Sequence, residues 1–252
     1  YKIPIYIFRL PNIFGKWCKP NYNSVVATFC YNITRNIPIH IKDPNDIINL
    51  VYIDDVIKYF IEILENEEKN LNNNDVFKNI KFSYKIKVGN LAKQLYAFNQ
   101  IRNSSILEPV GTGLVRSLYS TYVSYLPKEK FSYTVKANDD LRGRFVEMLK
   151  TKDSGQFSYF TVSPNTTRGE HYHHSKTEKF LVIKGSACFN FYNLDTKEKF
   201  ELNVNGDKPE IVESIPGWAH NIKNNGNDEV LVMLWANEIF NANNPDTYSF
   251  KL

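Results

Sequence analysis

The sequence predicts an α/β layer followed by an all-β sandwich or barrel. To about residue 126, strand-like and helix-like segments alternate, as they do in α/β layers. After Pro127 the helical period disappears, and short alternating runs separated by turn residues replace it. The 252 residues, 42% hydrophobic and 23% charged, are enough for two average domains with real cores. The boundary is expected near residue 128, giving domains 1–127 and 128–252.

Lys2 to Leu10 alternates and is rich in β-branched and aromatic residues, so it reads as a strand. Asn23 to Ile37 reads as a helix with Val26, Phe29, Cys30 and Ile33 on one face. A short strand, Asn49 to Ile53, precedes a second helix, for which Asp54 is the expected N-cap. Val56, Ile57, Phe60, Ile61 and Leu64 recur along that helix at three- and four-residue steps. The polar stretch 65–79 is expected to be loop. A third helix carries Leu91, Leu95, Phe98 and Ile101, and Gly89-Asn90 marks its start. A fourth, Leu114 to Tyr125, runs into Pro127. No glycine-rich phosphate loop follows any strand.

Beyond Phe131 the expected strands are Phe157–Val162, Glu178–Ile183, Ala187–Tyr192, Glu210–Ile215 and Val230–Trp235. Asn205-Gly206-Asp207 and Asn225-Gly226-Asn227 supply turns between them.

Composition narrows the function. Thirty-one basic against 27 acidic residues give a net charge of +4, which suits a small anionic substrate. There is no Lys/Arg stripe of the kind nucleic acid requires, and no apolar run long enough for a membrane-spanning helix. Neither partner is expected. Cys18, Cys30 and Cys188 are widely spaced with no CxxC pair, so they read as reduced thiols of a cytoplasmic protein. The chain opens at Tyr1 in a strand-like run, and a cut edge is the expectation there.

Four of the five histidines fall in two clusters. In RGEHYHHSKTEKFLVIKG (168–185), His171 and His173 are two apart and leave one face of a strand, while His174 points the other way. Glu178 follows after room for a turn. In IPGWAHNIKN (215–224), Pro216-Gly217 turns the chain and His220 enters a later strand. Three imidazoles and a carboxylate make a mixed N/O site suited to Zn²⁺ or another divalent metal, with positions left open for substrate. The plainer reading is a set of barrel-lining residues, with Glu178 a solvated charge between Lys176 and Lys179.

HxH, four residues, E, six residues, G resembles the first cupin motif, matched by His171, His173, Glu178 and Gly185. Pro216, Gly217, His220 and Asn224 resemble the second, with Gly217 one place early. The resemblance implies a cupin (jelly-roll) barrel whose metal ligands are His171, His173, Glu178 and His220.

It extends over the chain. RLPNIFGKWCKPNYNSVVATFCYNI (9–33) and LVYIDDVIKYF (50–60) resemble the C-terminal, substrate-binding half of an extended short-chain dehydrogenase/reductase acting on nucleotide sugars, a partial Rossmann-like domain. NDDLRGRFVEML (138–149), the histidine run and WANEIFNANNPDTY (235–248) resemble the cupin half of the CapF family. That family implies a bifunctional enzyme of capsular and O-antigen polysaccharide synthesis, leading toward UDP-N-acetyl-L-fucosamine. A zinc cupin epimerises C3 of a UDP-4-keto-6-deoxy-N-acetylhexosamine, and the reductase then reduces the 4-keto group with NADPH. The family's glycine-rich loop and Tyr-x-x-x-Lys pair are not in these residues. NADPH is therefore expected only where the missing N-terminal half is present, and this chain alone is expected to reduce nothing.

The resemblance puts Arg9, Asn12 and Lys16 beside the nucleotide sugar, and Arg142 with it in the second domain. Arg and Lys suit a diphosphate, although Asn12 equally suits a turn before Gly15. Glu147, Tyr172, Lys184 and Tyr192 are unranked acid/base candidates. DLRGRF (140–145) also resembles metal-free 3,5-epimerases that use a His/Asp pair. A non-catalytic sugar-nucleotide-binding and dimerisation module, or an iron oxygenase, would also be compatible with a cupin barrel. A homodimer is the expected assembly.

Overall fold

The computed structural model describes residues 5–65, 76–80 and 82–252. The chain divides into two compact units, one of Tyr1–Ile101 with Glu108–Tyr133, the other of Arg102–Leu107 with Thr134–Leu252.

The first unit holds β1 (Ile7–Arg9), β2 (Asn12–Phe14), α1 (Val25–Thr34), β3 (Ile47–Tyr52), α2 (Ile53–Glu65), β4 (Phe77–Asn79) and β5 (Tyr84–Lys87), with α3 (Val88–Ser104), whose last three residues count with the second unit, and α4 (Gly113–Ser124). β2 pairs parallel with β3, and β3 pairs antiparallel with β5. α1 starts where Ser24 Oγ accepts from the Ala27 N–H at 3.3 Å, which satisfies one of the free donors of its first turn. Its apolar face, Val26, Phe29, Cys30 and Ile33, is buried as its spacing predicts.

Three local expectations are corrected here. Of the strand expected at Lys2–Leu10, β1 keeps three residues, and residues 1–4 lie outside those described. Phe77–Asn79, expected in a loop, forms β4 because it pairs parallel with β1, a tertiary contact that local polarity cannot reveal; residues 66–75 of that stretch lie outside those described. α2 begins at Ile53, so Asp54 sits in its first turn and not at the cap, and its carboxylate holds Lys16 at 2.8 Å.

The second unit is a jelly-roll-like cupin fold, mostly β, of two facing sheets. Its strands are β6 (Ile106–Leu107), β7 (Ala137–Asp140), β8 (Gly143–Thr151), β9 (Gly155–Val162), β10 (Thr167–Tyr172), β11 (Glu178–Lys184), β12 (Ser186–Asn193), β13 (Lys199–Asn205), β14 (Ile211–Ser214), β15 (Trp218–Lys223), β16 (Val230–Ala236) and β17 (Tyr248–Ser249). One sheet runs β14-β11-β16-β9-β8-β6 with β7 beside β8, and the other runs β13-β12-β15-β10-β17. Between them lie Phe160, Val162, Phe180, Val182, Phe189, Ile222, Val230 and Val232. Each such side chain contributes roughly 1.5–3 kcal/mol by leaving water.

Period-two alternation gives these strands a polarity gradient along the sandwich. β9 buries Gln156, Ser158, Phe160 and Val162 in turn; β11 buries Glu178, Phe180 and Val182. The faces are apolar at one end and polar at the other, and that polar end carries the site. Asn224, from the second histidine motif, is a turn anchor: its Nδ2 donates to Val162 O and Asp228 O at 2.8 Å, and its Oδ1 accepts from Gly226 N at 2.8 Å. No helix among the described residues is long and apolar enough to cross a membrane.

Candidate metal centre

His171 is the penultimate residue of β10, His173 follows the strand, Glu178 opens β11 and His220 lies on β15. His171 and His220 face each other in register across β10 and β15. Approaching β15 so closely demands Gly169, whose φ is +94° and whose missing Cβ would stand 2.9 Å from His220 O. Glu170 follows at φ +59° in the same bulge, which resets the strand so that His171 turns inward.

The ring centroids of the three histidines lie 4.8–5.4 Å apart. The four side chains offer ligand atoms that all fall within 4.8 Å of one another. Glu178 Oε2 lies 3.2 Å from both His173 Nε2 and His220 Nε2, while Lys176 Nζ holds Oε1 at 2.8 Å. His173 Nδ1–H donates to Asp246 O at 2.5 Å, so Nε2 carries its lone pair toward Glu178. Lone pair facing carboxylate is repulsive unless a cation or a proton stands between them. His171 Nε2 and His220 Nδ1 are buried with no hydrogen-bond partner, and His220 Nε2 meets only the Glu178 carboxylate, without the angle of a good hydrogen bond. Each orphaned atom would cost about 1–3 kcal/mol, and one ion would serve several of them together. Two ligands each about 2 Å from a tetrahedral ion sit about 3.3 Å apart, close to the separations at Glu178. The residues fit a divalent metal.

The electrostatics agree. Burial, then the neighbouring His220, pushes His171 down to about 4, so its imidazole is neutral and able to ligate at neutral pH. Burial would raise the Glu178 carboxyl, but His173, His220 and Lys176 together bring it well below the usual range.

The cluster opens into a cavity of about 430 Å³ within the second unit. Phe145, Phe160, Phe180 and Phe189 form its apolar wall, and Arg142, Glu147, Arg168 and Lys176 are among its charged residues. Asp140 fixes both arginines: Arg142 Nη2 donates to its Oδ2 at 2.6 Å, and Arg168 Nη2 lies 3.4 Å from Oδ1. Of the four acid/base candidates named from the sequence, Glu147 alone lines the wall. Tyr172 stacks on Tyr248 and Tyr192 on Phe250, each at 5.2 Å, and Lys184 is exposed.

In the first unit, Arg9 lies over the Phe77 ring at 4.6 Å. Asn12 Nδ2 donates to Asn49 O at 3.2 Å, which ties β2 to β3. Lys16 is taken by Asp54. The structure gathers His171, His173, Glu178 and His220 into one cluster, of which His171, Glu178 and His220 line the cavity together with Arg142, while Arg9, Asn12 and Lys16 hold partners within their own unit.

Sequence reasoning missed Lys176, Arg168, Gln156, Ser158 and Asp246. The Asp246 carboxylate accepts from the N–H groups of His174, Ser175 and Lys176 at 2.7–2.9 Å and from Ser175 Oγ at 2.9 Å, clamping the turn between His173 and Glu178. Its only signal in the sequence was its place in the closing 235–248 run. The carboxylate serves the backbone; the His/Asp pairing of a metal-free epimerase, with an aspartate carboxylate on an imidazole, is not formed among the described residues.

This sandwich, with imidazoles and a carboxylate converging at one end, defines a cupin with a site that could hold a metal ion. The family described as Polysaccharide biosynthesis C-terminal domain matches residues 138–248. A UDP-2-acetamido-2,6-beta-L-arabino-hexul-4-ose reductase of Pseudomonas aeruginosa is 57% identical over 246 residues, which are 98% of this chain and 65% of that protein. The capsular polysaccharide assembling protein CapF from Staphylococcus aureus is 41% identical with a TM-score of 0.91, over 98% of this chain and 66% of the solved one. CapF solved with the inhibitor 3-isopropenyl-tropolone matches equally, with 70% of its chain covered. The chain belongs to the CapF family. It spans about two thirds of the length of these relatives.

Proposed function

We propose that the cupin unit epimerises C3 of a UDP-4-keto-6-deoxy-N-acetylhexosamine, in a metal-dependent step of capsular polysaccharide synthesis. The convergence of His171, His173, Glu178 and His220 at the head of one cavity, which His171, Glu178 and His220 line, carries this reading. The name of the Pseudomonas reductase supports the substrate class, and that of CapF supports the setting in capsular polysaccharide synthesis. We read the first unit as the substrate-binding end of a reductase that acts with NADPH only in a longer chain.

The three histidines and Glu178 would hold the ion. When bound, it supplies a Lewis acid for the sugar carbonyl, which makes the neighbouring C–H acidic. Arg142 and Arg168, held by Asp140, present guanidinium groups to the diphosphate. The phenylalanine wall excludes water and strengthens each charge interaction within. Glu147, on the wall and paired with Lys150 at 2.6 Å, is the group we assign to take the proton from C3 on one face. Inversion is completed when a donor on the opposite face of the sugar returns a proton to that carbon.

The test is deuterium incorporation at C3 of the 4-keto UDP-sugar in heavy water. Exchange should require metal and fall at least a hundredfold in Glu147→Gln. Absence of exchange with metal bound would leave a sugar-nucleotide-binding module, and exchange surviving complete metal removal would point to a metal-free base.

A further inference from the structure

The inward face of β9 changes character where it meets the cavity: Phe160 and Val162 pack in the core, whereas Gln156 and Ser158 line the cavity wall. Gln156 is 6% exposed and Ser158 0%. Gln156 Nε2 donates to Ser158 Oγ at 3.0 Å, and Gln156 Oε1 is buried with no partner. Turning the amide over changes little, because the hydroxyl can donate as well as accept; one polar end is always bonded to Ser158 and the other left without a partner. A buried polar atom left this way needs an explanation, and in a cavity wall a ligand supplies one.

The strand register says where that ligand lies. Glu178 pairs with Ala236, and Ala236 pairs with Gln156. Residues directly opposite on neighbouring strands share a face, so Gln156 looks into the same space as Glu178 from two strands away, about 10 Å between backbones. The residue between them, Ala236, contributes only a methyl group. A ring resting on that floor would have one edge at the histidine cluster and the other at Gln156.

We infer that Gln156, oriented by Ser158, is a specificity-determining residue that binds the amide of a 2-acetamido sugar whose carbonyl faces the metal centre. A secondary amide offers both an N–H and a C=O, so it satisfies the free end of Gln156 in either orientation. This deepens the epimerase reading and rests on it for the identity of the sugar nucleotide.

The test is calorimetric titration of the zinc-loaded full chain with UDP-N-acetylglucosamine and with UDP-2-deoxyglucose, which lacks any group at C2. The wild-type protein should bind the acetamido ligand about tenfold or more tightly. Gln156→Met should bring the two affinities within about twofold by weakening only the acetamido ligand, and Ser158→Ala should narrow the gap in part. Equal affinities in the wild type, no binding of either ligand, or a preference that survives Gln156→Met would overturn the assignment. So would equal losses on both ligands in a variant with wild-type circular dichroism. Deuterium exchange separates the two readings: preference without exchange removes the epimerase and keeps the amide site, and exchange without preference does the reverse.

Discussion

Asp246 grips His173 from two directions: its carbonyl takes the Nδ1–H at 2.5 Å, and its carboxylate ties down the turn that follows. The backbone contact fixes the tautomer, and the side chain fixes where the backbone lies. The carboxyl is well below the usual range because the His174, Lys176 and Ser175 N–H groups outweigh the desolvation that would raise it. Asp246→Ala should therefore release the turn while removing no ligand. Partners of this kind typically change metal affinity ten- to a hundredfold. Zinc competition against a chromophoric chelator should show a loss in that range, with unchanged stoichiometry at saturation.

Glu178 is both a candidate ligand and the counterion of Lys176, whose side chain is 11% exposed. Glu178→Gln strands that ammonium in a nearly dry site. Breaking a buried pair this way costs about 3–5 kcal/mol. Urea denaturation of the metal-free protein should show a loss of that order, and the double variant Lys176→Met/Glu178→Gln should recover much of it. A loss arising only from the missing metal would leave the metal-free single variant as stable as the wild type.

Chelation should lower the stability of the loaded protein. An ion that binds only the folded state at 100 times its Kd stabilises by about 2.7 kcal/mol. Thermal melts at graded free zinc should move upward with its concentration, and the Glu178→Gln variant should respond far less.

Much of this was legible because it is local. His171 and His173 share a strand face by their spacing alone, and β9, β11 and β16 announce themselves by alternation. Contacts between distant segments were not. Asp246 lies more than seventy residues from His173, and nothing in Asn-Pro-Asp-Thr distinguishes a clamp from a surface turn. Gln156 and Ser158 occupy inward positions that a hydrophobic pattern assigns to apolar residues, so the polar end of the cavity was invisible until the sheets were assembled. Asn12 and Lys16 have the chemistry of phosphate binders, yet each has a partner that only the folded chain supplies.

The Asp140 carboxyl is lowered to about 2, chiefly by the side-chain hydrogen bond from Arg142, against a smaller desolvation effect. Its folded pKa lies below its ordinary value of 3.8, so the stability it contributes is fully present above that value and is lost as pH falls through about 2. The side chain is 42% exposed, so solvent screening keeps the contribution small. The melting-temperature difference between wild type and Asp140→Asn should be constant above about pH 5, shrink below about pH 4 and diminish with added salt.

Gly169 is where fold and site meet. A side chain there is opposed twice: φ is +94°, and a Cβ would lie 2.9 Å from His220 O and 3.0 Å from Asn221 Cα, both backbone atoms of β15. Neither neighbour can rotate aside, so Gly169→Ala must part β10 from β15 or rebuild the bulge. Residues held in such conformations cost of order 1–3 kcal/mol. Because His171 and His220 are paired across this seam, the same displacement widens the cluster. The variant should melt lower and bind zinc more weakly than its stability loss alone explains. Gly217→Ala is the control: φ is +81° with nothing within 4 Å of the added carbon, so it carries backbone strain without the collision. If both variants retained equal zinc affinity, the close approach at Gly169 would have no part in shaping the centre.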